Sequence, residues 1–221
     1  MDHQPRPGIR QKTQRRDRLI ALAAARPEWA VGYEDETWWS RVAQPALHAW
    51  TAGEPVRLVE QTVAEDDADP KALACYGLLV RPAGAPEVTA EAVWLRFVEG
   101  RPVSAVTIAF LAWCCARLAG TGTTTLVLVW DNAGWHLSQE VRRWLRAHNQ
   151  QVHREGGVRL VPCFLPTKSP WLNPIEPKWV HGKRRVVEPA RLLTARELAE
   201  RVCAAFACPP FEHLAIPKEA A

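Results

Sequence analysis

Along this chain the spacing of apolar positions changes several times, and each change marks an element. Leu126-Val-Leu-Val-Trp130 is apolar without interruption and too short for a helix, so it predicts a strand buried on both faces. Residues 72–80 read the same way, and further strands are expected over 30–37, around 50–61 after a turn near Ala52-Gly-Glu-Pro55, over 93–98 and over 158–164. Residues 105–119 are apolar on nearly every helical face and predict a buried helix, whereas 138–148 carry one inward stripe of Val141, Trp144, Leu145 and His148. The strand at 125–130, that helix and the strand at 158–164 form a β-α-β unit, whose right-handed crossover lays the two strands parallel. Asn173 has the side chain of an N-cap, Pro174 suits the first helical position, and Glu176 falls three after the cap. A helix is therefore expected from there to about residue 187, with Glu176, Trp179, Val180 and Lys183 on one face. On spacing alone Glu176 could simply close a capping box onto the Asn173 amide. Thr194 and Glu197 make another such box, opening a last helix that ends near residue 207.

The first eighteen residues show no apolar periodicity and concentrate Arg6, Arg10, Lys12, Arg15, Arg16 and Arg18. They are expected to be a flexible basic arm, with Arg15 and Arg16 as phosphate contacts, ahead of a short helix that ends near Arg26-Pro27. The expected division is an arm over 1–18, one main domain over 19–208 and a tail over 209–221. A chain of 221 residues with 48% apolar content is long enough for one good core. Its 28 basic against 24 acidic side chains, and a pI near 8.8, permit a polyanionic partner without demanding one. Six cysteines in apolar contexts show no zinc-ligand spacing and read as reduced core residues. With no secretory h-region and no membrane-length apolar run, a cytoplasmic protein with no membrane partner is expected.

Two carboxylates stand out from this frame. Asp131 lies at the tip of a buried strand, the position from which α/β folds present site residues, and Glu176 lies at the mouth of a basic helix. The acidic run Glu65, Asp66, Asp67 and Asp69 is expected to be a solvated loop. D-N-x-x-x-H at 131–136 and L-P-x-x-S-P-x-L-N-P-I-E-x-x-W at 165–179 together resemble the DDE transposases, in the bacterial insertion-sequence branch related to mariner elements.

The resemblance runs from about residue 30 to 185. It implies an α/β, ribonuclease H-like fold with a mixed five-stranded sheet, an antiparallel meander plus parallel strands, flanked by helices. It also implies three acids that hold two divalent ions, Mg2+ or Mn2+. Asp131 would be the second acid and Glu176 the third. The first is placed at Asp35 in Val31-Gly-Tyr-Glu-Asp-Glu-Thr37, with Glu34 and Glu36 as replacements and with Trp50 and Gly53 matching the family pattern downstream of it. All three carboxylates should lie within roughly 4–8 Å of one another. His136 is expected to shape its turn, since two metals need no separate base. Lys168, Lys178, Lys183, Arg184 and Arg185 fall where a DNA strand would run, and Trp171 is placed to stack on a nucleotide.

The interval from Asp131 to Glu176 is several residues longer than this branch usually shows, and the surplus is assigned to a loop within 148–157. Implied partners are DNA, both transposon ends and target, and a second copy of the chain on that DNA. Family members carry helix-turn-helix domains ahead of the catalytic core, and only a short segment precedes the first strand here. The implied function is metal-dependent DNA strand cleavage and strand transfer. The alternatives are a non-catalytic DNA-binding or inhibitory transposase subunit, and a ribonuclease H-like nuclease of unrelated purpose.

Overall fold

The computed structural model describes residues 7–42, 61–82, 91–186, 188 and 190–216. Its strands are β1 (Trp29–Ser40), β2 (Ala72–Pro82), β3 (Ala92–Glu99), β4 (Thr125–Trp130), β5 (Arg159–Phe164) and the short β6 (Leu214–Ala215). The helices are α1 (Pro7–Ala24), α2 (Ser104–Ala119), α3 (Gln139–Glu155), α4 (Ile175–Val186) and α5 (Ala195–Ala205), with a 3-10 turn at Pro170–Leu172. The six strands form one mixed sheet in the order β5-β4-β1-β2-β3-β6. β1, β2 and β3 pair antiparallel, β4 joins β1 in parallel, and β5 joins β4 in parallel, as the β-α-β reading required.

Pleating divides the interior in two. Val31, Tyr33 and Trp39 of β1 share one face with Leu79, Val127 and Val129, under α1, α4 and α5. Ala30, Tyr76, Leu78, Leu126, Leu128 and Trp130 share the other, under α2 and α3. The capping box of Thr194 and Glu197 opens α5, each residue bonding the other's backbone N–H.

Several elements differ from the sequence reading. The sheet has six strands rather than five, because residues 211–216 leave the expected tail and return to β3. Arg117 holds them, lying 4.7 Å from the Trp94 ring centre and 5.1 Å from those of Trp113 and Phe211. Residues 7–18, read as an arm, are the first part of α1, which packs Leu19, Ile20 and Ala23 on the sheet. The surplus within 148–157 is no loop but two further turns of α3. Asn149 stitches those turns to β5, accepting from Leu160 N and donating to Leu160 O. The strand around 50–61 falls mainly on 43–60, outside the described residues, as do Trp50 and Gly53; β2 itself pairs directly with β1. The acidic run is not simply solvated. Asp67 forms an ion pair with buried Arg41 at 2.6 Å, and Asp69 accepts from Ala195 N at the start of α5.

Candidate functional site

Alternation along β1 puts Asp35 on the face under α4 and sends Glu34 and Glu36 to the opposite face. Tyr33 pairs with Val129 in the parallel register, so two residues further along each chain Asp35 comes up beside Asp131. The third segment is fastened to the same strand. Asn173, buried, donates from Nδ2 to the backbone carbonyl of Glu34 at 2.9 Å, which fixes the start of α4 over β1. Trp179 then reaches back one turn later and donates from Nε1 to Asp35 Oδ2 at 2.8 Å. This approach requires glycine beneath it. Gly77, paired with Asp35 across β1 and β2, lies so close that an added Cβ would come 2.2 Å from the Trp179 ring. Glu176 does not close the capping box, because the Asn173 N–H donates to Pro170 O instead. Its side chain makes no hydrogen bond among the described residues. Glu176 lines a pocket of about 190 Å³ together with Asp131, Asn132, Lys168 and Ser169.

The electrostatics follow from this crowding. Burial, and then the charges of Glu176, Glu36 and Asp131, push the Asp35 carboxyl up to about 7, against the pull of the Trp179 hydrogen bond. Glu176 is raised by burial and by Asp131, with Lys183 opposing. Burial also acts to raise Asp131, but hydrogen bonds from His136 and Ala133 outweigh it and hold the group below its ordinary range. Three hard oxygen donors, two of them raised in proton affinity by the neighbouring carboxylates, are a donor set that a divalent magnesium or manganese ion relieves.

Behind Asp131, on the far face, Glu34, Glu36 and His136 bring their ligand atoms within 4.8 Å of one another. His136 Nε2 is 3.0 Å from Glu36 Oε1 and 3.2 Å from Glu34 Oε2, and its Nδ1 is 2.9 Å from Asp131 Oδ1. These are hydrogen-bond lengths, and the His136 and Glu34 side chains are fully enclosed. His136 is thus hydrogen-bonded to Asp131 and Glu36 and ion-paired with Glu34, whose two oxygens are buried without a hydrogen-bond partner among the described residues. Burial alone would lower His136, yet Glu34, Asp131 and Glu36 hold its proton and raise it. Burial and Glu36 push Glu34 up to about 8, with His136 opposing.

Residues 88–199, half of the chain and including Asp131 and Glu176, match the family described as DDE superfamily endonuclease. The chain belongs to that family. No curated protein matches the chain by sequence. Among solved structures the fold is similar to a pre-cleavage Mos1 transpososome (TM-score 0.58, 11% identity, 94% of this chain and 57% of that one). It is also similar to the mariner Mos1 paired-end complex with Mg (TM-score 0.57, 14% identity, 93% and 56%) and to the catalytic domain of Mos1 mariner transposase (TM-score 0.53, 12% identity, 95% and 86%). This chain thus spans little more than half the length of the first two and most of the third, and the shared architecture is the ribonuclease H-like sheet flanked by helices.

In this DDE endonuclease the basic residues picked out from the sequence fall into two sets. Lys168, Lys183, Arg184 and Arg185 are exposed and have no ion-pair partner among the described residues, and Trp171 is 72% exposed beside the pocket. Lys168 sits at a φ of 58°, in the left-handed region. The other set is turned to the protein. Lys178 pairs with Glu91 at 3.2 Å, Arg15 donates to Pro162 O, and Arg16 donates to Leu172 O and Asp17. No described helix is long and apolar enough to cross a membrane.

Sequence reasoning missed Lys12, whose Nζ donates to Asn132 Oδ1 at 3.2 Å and to Leu165 O at 3.1 Å. Asn132 Nδ2 donates to that same carbonyl at 2.7 Å, so α1, the Asp131 loop and the segment leading to Glu176 meet at one atom. Nothing in the spacing of Lys12 signals this. Trp179 was read as core, which its ring is; only its polar edge serves Asp35.

Proposed function

We propose that this domain is the catalytic half of a transposase, cleaving and joining DNA strands with Mg2+ or Mn2+ held by Asp35, Asp131 and Glu176. The observation that carries the reading is the gathering, on one sheet face, of carboxylates from β1, from the end of β4 and from the first turn of α4. Two ions bound there would supply Lewis acidity for the attacking and leaving oxygens of a phosphodiester. The chain's own groups set the stage. Trp179 and the Asp131 loop orient two of the acids. Lys168, Lys183, Arg184 and Arg185 offer free cations to the phosphates on either side, and Trp171 offers an exposed ring to a base. Such contacts suit transposon ends and target DNA alike, with a second copy of the chain on the same DNA.

The test is a cleavage assay on pre-nicked or branched duplex, which bypasses recognition of particular ends. Metal-dependent cleavage is expected, abolished by chelation and by Asp131→Asn. Undiminished cleavage by a folded Asp131→Asn protein would overturn the assignment.

A further inference from the structure

The reaction proposed above makes no use of His136, yet few side chains here are held from so many directions. The ring is fully buried and stacks on Trp130 with centroids 4.6 Å apart. Nδ1 faces Asp131 Oδ1 at 2.9 Å and Nε2 faces Glu36 Oε1 at 3.0 Å, so both ring nitrogens meet groups that accept and do not donate. Glu36 is fixed in turn by Trp135, whose Nε1 donates to the same oxygen at 2.7 Å. Trp135, Glu36, His136 and Asp131 thus form one chain of hydrogen bonds. It starts on the far face of the sheet, rounds the end of β4 and finishes on the half-exposed carboxylate of the near face.

At its end the chain selects one oxygen. Asp131 Oδ1 takes two donors, Ala133 N at 2.8 Å and His136 Nδ1 at 2.9 Å, which occupy both of its lone-pair directions. Oδ2 takes none among the described residues. We propose that His136 is a positioning residue for Asp131, turning Oδ1 into the protein so that the carboxylate meets a divalent ion through Oδ2 alone. The inference rests on the reading of Asp131 as a metal ligand. The role is that of an outer partner which orients a ligand without touching the ion, and loss of such a partner weakens metal binding by about 10–100-fold.

The experiment measures Mn2+ binding to the full chain without DNA, by calorimetry and electron paramagnetic resonance, with circular dichroism and thermal melting alongside. In His136→Asn the new amide nitrogen falls near the place of Nδ1 and can still serve Asp131. In His136→Gln it falls near Nε2 and can serve only Glu36. A positioning role requires Gln to weaken Mn2+ binding by about 10–100-fold and Asn to restore much of it. The opposite order, Gln binding better than Asn, would mean that the ring only neutralises the buried glutamates and would overturn the proposal. Should neither variant fold, Glu36→Gln carries the test, since it keeps an oxygen for Nε2 while removing the charge that holds the ring. A several-fold loss of Mn2+ affinity is expected, and an unchanged affinity sinks the idea. Asp131→Asn separates the two claims: if it binds Mn2+ as the parent does, the metal assignment itself fails, whatever His136 does.

Discussion

Asp35 shows how much of a site rests on one neighbour. Its Oδ2 accepts from the Trp179 indole, and removing that donor while keeping the ring, as in Trp179→Phe, leaves a crowded, half-sunk carboxylate with nothing to hold it. A stability loss of about 1 kcal/mol is expected from urea unfolding, together with weaker Mn2+ binding. Unchanged binding would make Trp179 a packing residue only. The placements of Asp131 at the tip of a buried strand and of Glu176 in the first turn of a helix were legible in the sequence, from an uninterrupted apolar run and an N-cap pattern. Asp35 was legible only by resemblance, since Glu34-Asp35-Glu36 sits in a strand covered on both sides, where burial gives no parity to choose by. What chooses is the pairing partner. Opposite Asp35 stands Gly77, whose missing side chain lets the Trp179 indole lie against the strand.

At the scale of elements, α4 is seated by that contact. Ordinarily an alanine in place of a strand glycine is favourable, by roughly 0.5–1 kcal/mol. Gly77→Ala should instead destabilise by about 1–3 kcal/mol, because the ring and its helix must move. Cleavage should fall with it, as Glu176 rides on the same helix; a stabilised, fully active variant would show that α4 is not held this way. The helix at the other end of the site is α1, of which sequence periodicity revealed only the short part after residue 18 and not the stretch over 7–18. Its apolar face is confined to Leu19, Ile20 and Ala23, and its remaining hold is polar, through Lys12, Arg15 and Arg16 to backbone carbonyls. Such partners leave no trace in a hydrophobic pattern. Lys12→Met should speed amide exchange in α1 and in the Asp131 loop together. Faster exchange in α1 alone would show that the loop does not depend on it. The lengthened α3 escaped notice for the same reason, being pinned by His148 and Asn149 rather than by an apolar stripe.

For the whole molecule, the division of basic residues into free and engaged sets predicts how DNA binding answers to salt. Each phosphate contact on duplex DNA contributes about 0.9 to the slope of log affinity against log salt. Replacing Lys183, Arg184 and Arg185 together by Gln should flatten that slope by roughly 2–3. Replacing Arg16 should lower the melting temperature and leave the slope nearly alone, since its donors already serve the protein. A titration of both variants on arbitrary duplexes at several salt concentrations separates them, and the reverse pattern would return α1 to the DNA surface. The sheet has one more effect on a molecule of this size. It is a partition between two interiors, and β1 runs along it with three successive carboxylates. Residues one peptide bond apart therefore live in different chemical worlds. A water-soluble carbodiimide with an amine nucleophile should couple to Asp131 and Glu176 in the folded protein and leave Glu34 untouched, whereas in urea all three become ordinary acids and react alike.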